Sequence, residues 1–232
     1  MGTPDLLEST AANVAPRDRN IMPPYVVLRD FLDDRLVGEL LDLAISREAD
    51  FRAGRIVGSI VKPAARKAWT MGDLKEFGPL MRAKIRDRLP EIVAALQVTP
   101  VVRPNVALEL VAYRDGDFFK RHVDTLARMQ LSDTLDPLEE RLIVVLSGVY
   151  YFRTQPKGFT GGELRLYAFG DPRSASFVDV EPAHNSLIVF PSWSSHEVLP
   201  VRCRSGRFED SRFSVNYFIR EERRPLRGGA GG

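Results

Sequence analysis

Apolar residues follow two different spacings along the chain, and the change falls near residue 100. Before that point they recur at helical intervals, which predicts helices. Asp33 and Asp34 can cap the start of a first helix, whose apolar positions are Leu36, Val37, Leu40, Leu41 and Ala44. A second helix is predicted over residues 74–96. We expect Pro90 to divide it, because proline lacks the amide hydrogen that a helix interior donates.

After residue 100 the apolar positions form short runs between turn signals, a pattern typical of β-strands. The predicted strands are Asn105–Arg114, Phe118–Val123, Leu142–Phe152, Glu163–Ala168, Ser176–Val180, Ser186–Phe190, Glu197–Arg202 and Phe213–Ile219. Short strands after a helical region predict a mainly β (α+β) fold, a β-sandwich or jelly roll with N-terminal flanking helices. We expect one domain over 21–224, with a helical part (21–100) and a β core (101–220), between a flexible leader (1–20) and a flexible tail (225–232).

Composition narrows the class of protein. A net charge of +2 over 232 residues gives no overall field that would favour nucleic acid as a partner. The single cysteine, Cys203, is typical of a reducing compartment. No run approaches the ~20 apolar residues of a membrane helix, and residues 1–20 lack the apolar core of a signal peptide. We therefore expect a cytoplasmic protein without a membrane partner, and the sequence does not define its oligomeric state.

The segment 51–90 is unusually basic, with ten Lys or Arg residues against three acidic residues. Such a segment is most often the solvated face of helices and loops. The other interpretation is a lid that recognises an acidic substrate, and the sequence leaves both open.

One triplet, His122-Val123-Asp124, ends a predicted strand. Residues two apart on a strand point to the same side, so the imidazole and the carboxylate can bind one ion. His196, after the predicted strand Ser186–Phe190, is the candidate for a second imidazole. Two histidines and one carboxylate leave adjacent positions open and suit non-haem Fe(II). His184 lies in a predicted turn and is interpreted as structural.

Several segments, in the same order, resemble the prolyl-hydroxylase-like family of Fe(II)- and 2-oxoglutarate-dependent dioxygenases. The first runs from Tyr113 through Gly116 to His122-Val123-Asp124 and resembles the family's Y-x-x-G…H-x-D segment. The others are Tyr150-Tyr151-Phe152, Gly161-Gly162-Glu163-Leu164, Val180-Glu181-Pro182, Leu187-Ile188-Val189-Phe190, His196-Glu197-Val198 and Arg212-Phe213-Ser214. The resemblance covers about residues 105–220.

This resemblance implies a double-stranded β-helix with His122, Asp124 and His196 as metal ligands. It also implies that Arg212 binds the distal carboxylate of 2-oxoglutarate, a role suited to a guanidinium that can donate two hydrogen bonds. The further co-substrate candidates are Ser214, Tyr151 and Tyr113. Fifteen residues separate His196 from Arg212, more than the family usually has. This leaves Arg202, Arg204 and Arg207 as rival anchors.

The implied reaction is hydroxylation of an unactivated C–H bond with Fe(II), 2-oxoglutarate and O2, and ascorbate as reductant. By resemblance the substrate is a prolyl residue of a protein or peptide, and a free amino acid or small metabolite is the alternative. Nucleic-acid dealkylation is disfavoured because Phe218 stands where such relatives carry a second arginine. Candidate substrate-binding residues are Trp193, Trp69 and Arg66, and the candidate substrate loops are Phe51–Asp73 and Thr125–Glu140.

Two other classes of function remain open at this point. One is a cupin-like enzyme or zinc hydrolase that uses the same three ligands without 2-oxoglutarate. The other is a non-catalytic metal-binding β-helix module.

Overall fold

The computed structural model describes residues 21–55, 61–124, 142–169 and 176–222. Within these ranges the α-helices are α1 (Asp34–Ser46) and α2 (Phe77–Leu96). The strands are β1 (Val26–Arg29), β2 (Arg52–Ala53), β3 (Arg66–Lys67), β4 (Trp69–Met71), β5 (Asn105–Tyr113), β6 (Phe118–His122), β7 (Leu142–Phe152), β8 (Thr160–Gly161), β9 (Leu164–Tyr167), β10 (Phe177–Val180), β11 (Ser186–Pro191), β12 (His196–Val198), β13 (Val201–Arg202) and β14 (Arg212–Glu222). The predicted leader and tail, the loop Thr125–Glu140 and the turn Gly170-Asp171-Pro172 lie outside the described residues.

Most of these strands form two antiparallel sheets. In the described part of the chain, the large sheet has the strand order β1-β11-β7-β14-β5-β4-β2, and the small sheet has the order β10-β9-β12-β6-β3. A short pair, β13 and β8, lies beside them. Buried side chains of both sheets, such as Val111 and Tyr151 from the large one and Leu164 and Val198 from the small one, share one apolar cluster. The sheets therefore face each other as in a jelly roll, which confirms the predicted fold class.

Strands of the large sheet alternate between two apolar cores. On β5, Leu110 and Ala112 belong to the core that also contains the buried residues of α1 and α2. The intervening Val111 and Tyr113 belong to the cluster between the sheets. Because neighbouring side chains of a strand point to opposite faces, every second residue of β5, β7 and β14 enters the space between the sheets. That alternation decides which side chains can form a site there.

Helix α1 begins as predicted, since the Asp33 side chain accepts a hydrogen bond of 3.0 Å from the backbone N–H of Leu36. The predicted division of the second helix at Pro90 is wrong, because α2 continues through it to Leu96. Pro90 lies on the exposed face, as does Arg86, whose carbonyl loses its helical donor and can bind water instead. The buried face runs past the proline without interruption. Neither helix in the described part has the length and apolarity needed to cross a membrane.

The basic segment 51–90 is not only helix and loop. It also supplies three short strands: β2 and β3 are edge strands of the large and the small sheet, and β4 lies between β5 and β2. The predicted strand Glu197–Arg202 is divided, because β12 ends at Val198 and β13 begins at Val201. Pro200 lies in the gap, where a residue without an N–H cannot continue the ladder.

Candidate metal and co-substrate site

Two histidines face each other across neighbouring strands of the small sheet. His122 ends β6, His196 begins β12, and they are direct partners in the antiparallel register. Asp124 Oδ1 lies 3.5 Å from Nε2 of His122, and its Oδ2 lies 3.7 Å from Nε2 of His196. The ligand atoms of the three residues all lie within 4.8 Å of one another. The structure therefore brings the three predicted ligands close enough to bind one ion.

Both imidazole rings are oriented by the backbone. Nδ1 of His122 lies 2.8 Å from the carbonyl oxygen of Lys120, and Nδ1 of His196 lies 2.9 Å from that of Ser194. A carbonyl oxygen only accepts, so each Nδ1 carries the ring proton and each Nε2 keeps its lone pair. Phe119 also stacks on the His122 ring, with 3.6 Å between centroids. The lone pairs are therefore held beside the carboxylate, as metal ligation requires.

The charges of the site match a metal centre. Burial alone would raise the pKa of the Asp124 carboxyl. The combined effect of His196, His122 and the Ser147 hydroxyl is larger and lowers this pKa to well below its usual value. The Ser147 hydroxyl donates to Oδ2 of Asp124 at 2.6 Å. Burial, and then the charge of His122, lowers the pKa of His196 to about 4. At neutral pH the aspartate is ionised and His196 is neutral, which are the states that ligate metals.

Arg212, at the start of β14, is only 1% exposed. Its Nε donates to the carbonyl oxygen of Gly162 at 2.7 Å, but Nη1 and Nη2 have no acceptor among the described residues. The rings of Tyr113 and Tyr151 lie 4.9 and 4.8 Å from the guanidinium carbon. Leaving a buried charge unpaired is costly. This end of the site therefore fits an anion with two oxygens, such as a carboxylate.

Two hydroxyl groups on the same face of the sheet could serve the same anion. Ser214 on β14 is paired with Tyr151 on β7, and neither hydroxyl has a hydrogen-bond partner within the described ranges. Burial raises the pKa of Tyr151 to about 12, and the opposing effect of the Arg212 charge is smaller. The phenol is therefore a neutral donor at physiological pH. Arg212, Ser214 and Tyr151 together offer several donors to one carboxylate.

The rival arginines lie elsewhere. Arg202, Arg204 and Arg207 are all exposed, and Nη2 of Arg207 is paired with Asp210 at 2.9 Å. Arg212, by contrast, lines a cavity together with His122, Asp124 and His196. Of these four arginines, Arg212 is therefore the one placed to bind a carboxylate next to the candidate metal ligands.

The three candidate substrate residues have different environments. Arg66 lines the same cavity and is 7% exposed. Trp69 is not among the residues that line this cavity, and its ring packs against the Arg114 guanidinium, 4.6 Å from the centroid to the guanidinium carbon. Trp193 is 50% exposed and is likewise absent from the lining. Substrate roles for all three stay predictions.

Sequence reasoning missed several residues of the site: Ser147, Glu109, Phe119 and Gly162. Ser147 could have been found, since it shares the face of Tyr151 by the strand period of two. Glu109 shares the face of Tyr113 by the same rule, and a carboxylate on an inward face is a signal in itself. The stacking of Phe119 on His122 and the contact of Gly162 with Arg212 have no pattern in the sequence.

Comparison with known proteins agrees with this geometry. Residues 108–220 match the 2OG-Fe(II) oxygenase superfamily. An uncharacterized PKHD-type hydroxylase of Synechocystis sp. is 34% identical over 148 residues, which are 62% of this chain and 45% of the relative. The chain thus spans less than half the length of that relative.

Solved structures are similar in fold. A prolyl-4-hydroxylase of Pseudomonas putida has a TM-score of 0.59 and 22% identity, and the match covers 85% of this chain and 92% of that one. A Trichoplax adhaerens prolyl hydroxylase, solved with a hypoxia inducible factor peptide fragment, has a TM-score of 0.58 and 18% identity over 84% and 82% of the two chains. Residues 108–220 are therefore similar to the 2OG-Fe(II) oxygenase superfamily, and the solved structures named here that share the fold are prolyl hydroxylases.

Proposed function

We propose that the chain is an Fe(II)- and 2-oxoglutarate-dependent hydroxylase. His122, Asp124 and His196 hold the metal, and Arg212 binds the distal carboxylate of 2-oxoglutarate. The observation that carries the proposal is a buried guanidinium without acceptors for Nη1 and Nη2, among the described residues, in the same cavity as two imidazoles and a carboxylate. The metal ligands alone would suit other chemistries, whereas the added carboxylate-binding end favours this class.

When bound, Fe(II), 2-oxoglutarate and O2 supply the oxidant for an unactivated C–H bond, with succinate and CO2 as the other products. The chain binds and orients these groups. The Ser147 hydroxyl holds the Asp124 carboxylate in place, and the carbonyls of Lys120 and Ser194 fix the two imidazole rings. Burial of Arg212 keeps water from competing for its charge. Leu164 and Val198 add apolar surface to the lining of the cavity that contains the metal ligands.

The proposed substrate is a prolyl residue of a protein or peptide. Two prolyl hydroxylases, one of them seen with a peptide, share the fold and support this choice. Similarity of fold does not decide a substrate, so a free amino acid or small metabolite is kept as the alternative.

The test is succinate formation from 2-oxoglutarate by the purified protein with Fe(II), ascorbate and O2. We expect turnover in the wild type and none in His122→Ala. Arg212→Ala should need at least tenfold more 2-oxoglutarate, since it removes a charged donor pair. Arg207→Ala, at an exposed arginine, is the matched control and should behave as the wild type.

Binding measurements separate the classes if turnover is slow. Calorimetry with Co(II) in place of Fe(II) should show 2-oxoglutarate binding that requires the metal. A protein that binds the metal but not 2-oxoglutarate would overturn the proposal and indicate a metal-binding module or a metal-dependent hydrolase.

A further inference from the structure

One ion pair inside the cavity has no part in the proposed binding of the metal or of 2-oxoglutarate. Nη2 of Arg66 lies 2.9 Å from Oε2 of Glu109, and both residues line the cavity with the candidate metal ligands. Arg66 comes from β3 of the small sheet and Glu109 from β5 of the large sheet, so the pair connects the two sheets. Nη1 of Arg66 also donates to the carbonyl oxygen of Arg55 at 2.7 Å, which holds the guanidinium in place.

The pair lies beside the candidate metal centre. The Arg66 guanidinium carbon is 5.0 Å from the centroid of Phe119, and the ring of Phe119 stacks on His122 at 3.6 Å. On the large sheet, Glu109 is paired with Asn216 of β14, and Asn216 also lines the cavity. The ion pair, the Asn216 amide and His122 therefore line the same cavity.

These side chains leave the cavity without net charge. The ionised side chains that line it, in the described part of the chain, are Arg66 and Arg212 against Glu109 and Asp124. An Fe(II) ion and the 2-oxoglutarate dianion would add equal and opposite charges. The loaded cavity therefore has no net charge and should not favour a charged substrate. The substrate would still contact a guanidinium and a carboxylate that lie side by side.

We propose that the Arg66–Glu109 pair is the substrate-recognition element and takes the backbone of an amino-acid unit without net charge. The guanidinium donates to the carbonyl or carboxylate oxygen of that unit. The carboxylate accepts from the ammonium group of a free amino acid or, because a prolyl residue within a peptide has no N–H of its own, from the amide N–H that follows it. Glu109 is 27% exposed against 7% for Arg66, so its carboxylate is the more accessible partner. The peptide amide and the free zwitterion share this chemistry. The inference rests on the proposed function.

The charge of the pair can be changed one unit at a time. In Co(II)-loaded protein, Glu109→Gln should bind 2-oxoglutarate roughly tenfold more tightly, because the cavity gains a net positive charge. Arg66→Gln should bind it roughly tenfold more weakly, and the double variant should return to near the wild-type affinity. Arg165→Gln and Asp179→Asn, which separate an ion pair of 2.7 Å in the small sheet, are the matched controls and should change little.

Four proline derivatives then distinguish the sources of the unit. L-proline is a zwitterion, N-acetyl-L-prolinamide is neutral, N-acetyl-L-proline is an anion and L-prolinamide is a cation. We expect wild-type succinate formation to be stimulated most by one of the two derivatives without net charge, L-proline for a free amino acid or the blocked amide for a peptide. Glu109→Gln should shift the preference toward the anion and Arg66→Gln toward the cation.

The outcomes are separable. Loss of all metal-dependent 2-oxoglutarate binding in the wild type would overturn the proposed function itself. Normal 2-oxoglutarate binding together with the same preference among the four derivatives in the wild type, Glu109→Gln and Arg66→Gln, in variants whose thermal unfolding shows them to be folded, would overturn the recognition proposal alone. Absence of stimulation by all four derivatives would exclude a prolyl unit as the ligand of the pair.

Discussion

The carbonyl oxygen of Gly162 accepts a hydrogen bond of 2.7 Å from Nε of Arg212. Gly162 has φ = +73°, and a Cβ at this position would stand 2.6 Å from Cδ of Arg212. The backbone of Gly162 therefore fixes the position of the Arg212 guanidinium, and a side chain at position 162 would clash with the arginine.

Gly162→Ala should displace Arg212 and raise the Kd for 2-oxoglutarate at least tenfold, while the affinity for Co(II) stays within twofold. The added methyl group contacts the arginine side chain and also strains a positive φ. Calorimetry on the same protein measures both affinities. Gly38→Ala in α1, where a Cβ would meet nothing within 4 Å, is the control. Unchanged 2-oxoglutarate binding in Gly162→Ala would contradict the role given to Arg212.

Ser147→Ala should weaken metal binding by roughly 10–100-fold, the usual effect of losing a hydrogen bond to a metal ligand. The Ser147 hydroxyl is the side-chain donor to Oδ2 of Asp124 at 2.6 Å. Titration with Co(II), followed by its visible spectrum, measures the change. Ser46→Ala removes a comparable hydroxyl from the exposed end of α1 and should leave the titration as in the wild type.

Tyr151→Phe should weaken 2-oxoglutarate binding roughly fivefold, by the loss of one neutral hydrogen bond. The free protein should be as stable as the wild type or more stable by about 1 kcal/mol, because the removed hydroxyl is buried without a partner among the described residues. Denaturant unfolding and calorimetry test the two effects. Tyr167→Phe, whose hydroxyl bonds to Glu197, should keep its 2-oxoglutarate affinity.

The same tyrosine predicts a dependence of stability on alkaline pH. Burial raises the pKa of Tyr151 to about 12, whereas the unfolded chain ionises near ~10. Between these values the unfolded state loses its proton and the folded state keeps it, so stability falls as the pH rises. Tyr151 contributes about 2–3 kcal/mol to this loss, and its contribution is absent in Tyr151→Phe. Parallel pH profiles for the two proteins from denaturant unfolding would contradict this.

Asn185→Ala should lower the free energy of unfolding by about 3 kcal/mol or more. Its Oδ1 accepts from the Leu32 N–H and from the Tyr150 hydroxyl, both at 3.0 Å, and its Nδ2 donates to the Leu32 carbonyl at 2.7 Å. The variant leaves these buried groups unpaired and places alanine at φ = +55°. Denaturant unfolding measures the loss. Asn105→Ala, which removes an exposed hydrogen bond to Arg220, should cost less than about 1 kcal/mol.

The fold and the His122–Asp124 part of the candidate metal site could be predicted because they depend on local spacing. His122 and Asp124 share a strand face, and the strand pattern after residue 100 predicts the jelly roll. The spacing of the apolar residues also explains why Pro90 does not divide the second helix. The buried positions Leu89, Ile92 and Val93 leave that residue on the exposed face, where a missing amide hydrogen costs little.

The rest of the site depends on contacts between distant segments. Arg66 and Glu109 are 43 residues apart and belong to different sheets, so no spacing pattern joins them. The resemblance already favours Arg212, but the argument against Arg202, Arg204 and Arg207 needs the exposure of each side chain, which a single sequence does not contain. The contact of Gly162 with Arg212 likewise exists only after the barrel has closed.

The direct pairing of His122 with His196 has a consequence for how the protein is assembled. The two residues are far apart in sequence and become neighbours only when β12 docks beside β6. The unfolded chain offers at most the His122–Asp124 pair as a weak chelate, so full metal affinity develops only once those strands are in register. If these residues bind a metal as proposed, loading would follow folding, and the ion would cross-link the ends of two short strands and slow their separation.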